Sequence, residues 1–566
     1  MFGRSALMVA LATAVLGLTG CSAGDSNSRL TGNGGSGNGG SGNGGDGGFL
    51  DSGTAGAGGT DLTDPETCEE AADRKTYVGC DFWPTVTANG VWSIFDFAVV
   101  AANAGNETAS VTVTIGATGV ATAEIPPNEL RTIFLPWVPA LKGPEGNQCS
   151  QIISSPSTAR VDQGAFHLVS SRPIAVYQFN PLQYASIGGP PGKDWTKCKP
   201  SPPVCPFPTN CNQTYYTYTN DASLLLPSTA MTGNYRVAGR HGYFHPTASF
   251  PEFMTITGTQ DDTEVRVYVS STGTIEPGGP IQAVPGGGNT TLNLNAGDVV
   301  QLLTYTKASG SGELSGSLIQ ANKPVQVIAG TACSLAPDDK VACDHTEESL
   351  LPAETFGKHY FVTPPTGPNA DTPGHIVRIY GNFDGTSLTY PSGMPAGAPT
   401  SLNAGQWVDL GIVQQSFEVQ ADQAFAVASF QLGGSLVDPD PSDPDGVNDE
   451  GRGDPSMSYM TAVEQYRTKY VFLAPSNYDL SYADVVMPLD ATLELDGSTV
   501  NVAPTAIGSG FGVVRLGLGP GQQGAHILTA TKPVGLQVIG YGRYTSYQYP
   551  GGMNLKAIAP PPEPPR

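Results

Sequence analysis

The sequence predicts an all-β chain of tandem β-sandwich-like repeats carried behind a disordered Gly-rich tether. Three observations support this. First, apolar residues alternate with polar ones over short runs, as where Val111, Val113 and Ile115 interleave with threonines; this is the period of a half-buried strand. Second, there are 72 glycines and 48 prolines while only 14% of residues are charged, a balance that suits many short strands joined by turns and not amphipathic helices. Third, one order of segments returns along the chain at intervals of roughly 100–150 residues, the spacing of whole domains and not of propeller blades.

At the N-terminus, Arg4 precedes an apolar run, Ala6 to Leu18, that is too short to span a bilayer. Leu18-Thr19-Gly20-Cys21 follows. This string resembles the bacterial lipobox, which implies a signal peptide over 1–21, lipidation of Cys21 and a membrane held through a lipid anchor. Residues 22–64 repeat a Gly-Gly-Ser-Gly-Asn theme without apolar periodicity. Such a segment cannot bury a core, and as a random coil it reaches roughly 35 Å.

Four repeats are expected beyond it, over 65–214, 215–345, 346–437 and 456–549. The first contains Phe95 to Val100, a turn at Asn103-Ala104-Gly105-Asn106, Ser110 to Ile115, and Arg172-Pro173-Ile174 leading into a strand. The second repeats this order with Phe253 to Ile256, Asp261-Asp262-Thr263, Leu294-Asn295-Ala296-Gly297 and Lys323-Pro324-Val325. The third has Ile376 to Ile379, Asp384-Gly385, Leu402-Asn403-Ala404-Gly405 and Ala424 to Val427; the fourth has Val485-Val486, Thr492 to Gly497 and Lys532-Pro533-Val534. A proline opening a strand sits where no ladder donor is needed. Connectors join the repeats: Ser223 to Pro227 with Gly233 and Tyr235, Glu348 to Pro352 with Gly357 and Tyr360, and Val463 to Arg467 with Tyr470. The first repeat carries a Pro- and Cys-rich loop, Gly188 to Asn212, an acidic loop occupies 438–455, and a Pro-rich extended tail closes the chain over 550–566.

With Cys21 assigned to lipid, eight cysteines remain: Cys68, Cys80, Cys149, Cys198, Cys205, Cys211, Cys333 and Cys343. An even number in an exported chain implies disulfides. Cys68 with Cys80 and Cys333 with Cys343 each enclose a short loop, and the pairing of the other four stays open. Zinc at Cys333, Cys343 and His345 is disfavoured, because no C-x-x-C pair exists and exported thiols oxidise.

The net charge of -23 argues against nucleic acid as a partner. Asp443, Asp445 and Asp449 around Gly446 offer calcium-type oxygen ligands, but the run does not fit an EF-hand: Pro441 and Arg452 fall at its first and twelfth positions. A solvated loop is the simpler reading, and neither a metal nor a cofactor is expected. Arg452-Gly453-Asp454 matches an adhesion tripeptide at chance level. His345 beside Asp344, Glu347 and Glu348 has the residue types of an acid/base group, but a histidine packed against the disulfide loop is the simpler reading. No nucleophile elbow or zinc-protease motif occurs. Aromatic residues cluster locally at Trp83, Trp92, Tyr215, Tyr216, Tyr218, Tyr243, Phe244, Tyr544, Tyr547 and Tyr549, as they do both in contact surfaces and in sandwich cores.

The order Phe253 to Ile256, Asp262-Thr263-x-Val265, Leu294-x-x-Gly297, Lys323-Pro324-Val325, Cys333 and Cys343-Asp344-His345, with Glu348, Leu351-Pro352 and Gly357, resembles the IgGFc-binding protein N-terminal domain family. Gly453 to Met457, Val463 to Tyr466 and the opening Cys68 to Trp83 resemble its bacterial lipoprotein members. The likeness spans residues 66–548 and is most specific at Cys343-Asp344-His345. It implies an extracellular binding or scaffold role and supplies no catalytic residues. The expectation is a non-enzymatic lipoprotein of the cell envelope, at the outer membrane or cell surface, displaying a β-rich ectodomain for an extracellular protein or glycan. The alternatives are an envelope or matrix scaffold without a discrete ligand, and a glycan-active enzyme, which would need two convergent carboxylates.

Overall fold

The alternating runs form strands, and the recurring Pro-Val motif falls where the chain changes sheets. The computed structural model describes residues 64–145, 155–198, 216–246, 248–340, 343–439, 451–519 and 524–565. Cys21, Cys149, Cys205, Cys211, Asp443, Asp445, Asp449, Tyr215 and the segment before Asp64 lie outside the described residues.

In the first segment, strand Phe166–Phe179 pairs through Phe166–Ser170 with Ala109–Ile115 and through Ala175–Phe179 with Phe97–Ala102. One strand thus serves two sheets and turns the corner at Ser171-Arg172-Pro173. The fourth segment does the same. Strand Gly524–Gly542 pairs up to Ala530 with Lys469 to Ala474 of strand Arg467–Ala474 and with Leu493–Leu495, and from Gly535 onward with Leu480–Pro488.

The middle segments break the strand at the corner. Leu318–Ala321, paired with Thr263–Tyr268, gives way across Asn322-Lys323-Pro324 to Val325–Ser334, paired with Glu252–Gly258. Phe417–Ala421, paired with His359–Val362, gives way across Asp422-Gln423-Ala424 to Phe425–Gln431, paired with His375–Gly381. Strands that switch sheets at bends make the corners of packed sheets, and proline suits a corner because neither ladder needs its missing N–H. The expectation of a strand-opening proline therefore holds at Pro324. Pro173 and Pro533 instead lie inside continuous strands, because the backbone stays extended through the bend.

The segments share sheets and cores. Ala159–Val161 of the first adds an edge to the sheet of Val299–Leu303, Glu252–Gly258 and Val325–Ser334 in the second. Phe82, Val99 and Leu168 pack in one cluster with Phe253, Val299 and Ile328. Tyr77, Tyr177 and Phe179 pack with Phe472, Val485 and Tyr549 of the fourth segment. Asp61–Arg566 forms one compact unit, and no helix among the described residues is long and apolar enough to cross a membrane.

The last strand of each segment, Ala222–Leu225, Asp344–Ser349, Met457–Tyr459 and Thr545–Pro550, pairs with its own corner-turning strand. Each of these four also touches the last strands of two other segments, so together they close a ring at the centre, a hub. By pairing, the first three close the segment before them, beyond the sequence-drawn ends at 214, 345 and 437. The connector tyrosines then pin the next corner. The hydroxyls of Tyr235 and Tyr360 donate to the carbonyls of Val325 and Phe425, both at 2.7 Å, and Tyr470 donates to Val534.

Cys68 with Cys80 and Cys333 with Cys343 are disulfide-bonded. The second bridge closes the loop between strand Val325–Ser334 and hub strand Asp344–Ser349. With both thiols oxidised, no zinc set with His345 is available. Residues 550–565 do not hang free: Asn554 bridges Thr76, the amides of Ile558 and Ala559 donate to Glu354, and Gln320 donates to Pro562.

Candidate binding surface

The most specific part of the sequence resemblance, Asp344-His345 with Glu348, lies in the hub, sealed from solvent. Asp344, His345 and Glu347 are fully buried and Glu348 nearly so. Asp221 accepts the backbone N–H of Glu347 and of Met457, each at 3.1 Å, and so ties three hub strands together. Asp344 accepts from the Thr545 hydroxyl at 2.8 Å and from the His345 amide at 2.7 Å, which adds the fourth strand. Glu348 accepts from Leu224 N–H at 3.3 Å. Glu347 accepts from Thr87 at 2.6 Å, Asn180 at 3.1 Å and Gln178 at 3.0 Å. Burial pushes the carboxyls of Asp221, Asp344 and Glu348 well above the usual carboxylate range, against the pull of those donors. His345 lies 3.3 Å from Glu347 and its ring stacks near Phe253. An acid/base group must reach its substrate's proton; with no exposed surface, His345 holds the hub together and does not meet a substrate.

The ends of the hub strands surface as a different kind of site. Tyr216, Tyr218 and Tyr544 are half-buried and Arg543 is exposed. Tyr544 meets Tyr216 and Tyr218 edge-on, at ring-centroid distances of 5.1 and 5.0 Å. The Arg543 guanidinium stands 5.1 Å from the Tyr544 ring and 5.8 Å from that of Tyr216. Below them the buried Tyr184 packs on Tyr216 and Tyr478 and donates to Asp479 at 2.7 Å.

Three distant stretches are drawn together here by short bridges, Ala185 with Tyr216 and Arg452 with Arg543. Tyr218 and Tyr544 hold φ of 55° and 61°, a left-handed conformation that is an outlier for bulky residues and persists only where the surroundings impose it. Gly542 lets the Tyr184 ring sit close beneath, since a Cβ there would lie 3.0 Å from it. The result is a preorganised tyrosine–arginine patch, the composition that dominates protein-contact hot spots.

The other expected sites separate by burial. Trp83, Tyr547 and Tyr549 are core residues, and Trp83 stacks on His167 at 4.1 Å. Trp92, Tyr243 and Phe244 are half-buried and stand apart from the patch. In Arg452-Gly453-Asp454 the aspartate is buried, so the tripeptide cannot be presented as a ligand. Cys198 ends the short 3-10 turn Trp195–Cys198. Arg543 and Tyr184 escape the sequence reading. The available signal was register, since Arg543-Tyr544 precedes the last hub strand as Tyr216 and Tyr218 precede the first.

The family described as IgGFc binding protein matches residues 221–540. The human IgGFc-binding protein is 27% identical over 286 residues, which is 48% of this chain and 5% of that protein's length. An anti-sigma factor domain-containing protein from Clostridium clariflavum aligns over 62% of this chain and 94% of its own at 13% identity, but with a TM-score of 0.11 it carries no argument. The matched span opens at the hub residue Asp221 and closes just before Arg543, so the four patch residues flank it on both sides.

Proposed function

The chain belongs to the IgGFc-binding protein family, and on that premise we propose a β-rich binding ectodomain held to the cell envelope through lipid on Cys21. Its partner is a folded extracellular protein docked on Tyr216, Tyr218, Tyr544 and Arg543. The observation that supports this is the patch itself, rigid aromatic anchors beside an arginine at one exposed rim. Tyrosine gives large contact area for little lost side-chain entropy. Because the patch lies outside the family-matched span, the ligand in the human relative's name does not transfer with the fold.

The test is saturable binding of the full chain to immobilised serum proteins, with immunoglobulin Fc and a glycan array as separate arms. A protein partner bound by the full chain should be lost at least tenfold with Arg543→Ala and with Tyr544→Ala, while the melting temperature stays within a few degrees. Unchanged affinity in the double variant, or saturation by glycans alone, overturns the assignment. The anchor is tested separately: Cys21→Ser should move the protein from the membrane to the soluble fraction, and retention on the membrane would refute it.

A further inference from the structure

A second site lies at the start of the first segment. An open cleft of about 730 Å³ is lined by Ser93, Asp96, Trp137, Lys142, Glu145 and Ser157, among others. Lys142 is 2% exposed, and its ammonium makes no hydrogen bond among the described residues. It stands 5.4 Å from the centroid of the Trp137 ring and feels the charge of Glu145 without a hydrogen bond to it. The acids around it are already engaged. Asp96 accepts from Lys193 at 2.7 Å and Gln183 at 3.0 Å, and Glu145 accepts from the amide and hydroxyl of Ser93 at 3.0 and 2.5 Å. Trp137 is fixed in place, its indole N–H donating to Phe95 at 2.7 Å.

A buried cation without an acceptor is a costly arrangement for a fold to keep, and one that a bound anion relieves. Three chemistries therefore converge in the cleft: an ammonium without a hydrogen-bond acceptor among the described residues, an indole, and carboxylate and hydroxyl acceptors. We propose that this cleft binds a small carboxylate-bearing sugar, of the uronic or sialic acid class. The sugar's carboxylate meets Lys142, a C–H face lies against Trp137, and hydroxyls donate to Glu145 and Asp96. No single neutral sugar or simple carboxylic acid answers all three. Burial, partly opposed by Glu145, lowers the Lys142 ammonium to about 8, so the group can lose its charge in a range where the sugar carboxylate does not titrate.

The experiment is calorimetric titration of the full chain with glucuronic acid and N-acetylneuraminic acid, against glucose and N-acetylglucosamine. At least one acid should bind saturably and at least tenfold more tightly than either neutral sugar. Lys142→Met, which keeps the length and removes the charge, should abolish that preference, and Arg543→Ala should leave it intact. Should Lys142→Met fail to fold, the native chain still decides: affinity for the acid should fall several-fold between pH 7 and pH 9. Glu145, which acts on Lys142, and Asp96, which lines the cleft and pairs with Lys193, are the other charged groups there. Equal binding of acids and neutral sugars, affinity unchanged by pH or by Lys142→Met, or no saturable binding of either acid overturns the assignment.

Discussion

The hub and the patch are built on the same four strands and have opposite characters. Inside the ring, counted from the pairing with the corner-turning strands, Asp344, Asp454 and Thr545 occupy one register position, which Thr219 fills in the first segment, all buried. Asp221 accepts the backbone N–H groups of Glu347 and Met457, and Asp344 accepts the Thr545 hydroxyl, so these two carboxyls clasp hub strands of different segments together. At the rim the equivalents diverge: Tyr216 and Tyr218 before the first hub strand, Cys343 before the second, Arg452 before the third, and Arg543-Tyr544 before the fourth. Where the repeats agree, the chemistry holds segments together. Where they differ, side chains reach solvent, and it is there that specificity for a partner can reside.

The largest test of this contrast is at Gly330, in the strand paired with the second hub strand. A Cβ there would meet the Thr346 carbonyl oxygen at 1.8 Å, with backbone on both sides. Gly330→Ala should cost more than about 3 kcal/mol, since a backbone carbonyl cannot rotate away. At Gly540 the corresponding clash is with the Tyr547 ring at 1.9 Å, a side chain also confined by the core. A urea midpoint unchanged by Gly330→Ala would mean that the strands are not packed this closely. Next in size is the bridge beside the hub. Replacing Cys333 and Cys343 with serine should cost about 3 kcal/mol for a loop of this length, read as a melting temperature lower by several degrees. The intact protein should show a comparable drop in reductant, and a melt insensitive to reductant would count against the bridge.

Much of the fold was legible because it repeats. Alternation marked strands such as Ala109–Ile115, and loop length alone picked out both described disulfides. The Pro-Val motif marked something real at each recurrence. That it marked a change of sheet and not a strand start could not be read locally, since a bend and a beginning both spare the proline's missing N–H. The candidate site was far less legible. A packed His345 was the simpler reading of its sequence, and its burial agrees; what could not be read was that this burial depends on the three other hub strands, which lie far from it in sequence. Tyr218 and Tyr544 were visible as aromatic residues, but their contact spans most of the chain. Lys142 gave no signal at all, because an unanswered charge exists only once the surrounding shell is folded.

The smallest effect, and the one that most sharply separates hub from rim, is a pH dependence. Asp344 holds its proton to higher pH in the fold than in the unfolded chain, whose carboxyls titrate near 3.8. Above that value the unfolded state binds fewer protons than the native state, so this group lowers stability as pH rises. Asp221 and Glu348 act in the same direction. His375, whose burial lowers it to about 3, destabilises from the opposite side as pH falls below its ordinary value of 6.5. The native profile therefore mixes both signs, and the informative quantity is a difference. Asp344→Asn mimics the neutral carboxyl and keeps an acceptor for the His345 amide or the Thr545 hydroxyl. Relative to the native chain it should gain stability steadily from pH 4 to pH 7, while at pH 4 the two should agree within about 1 kcal/mol. His375 is common to both and cancels. Partner binding at the rim should not change with this substitution. A difference that stays flat with pH would mean that Asp344 is charged in the fold, and that the ring encloses a cation still to be found.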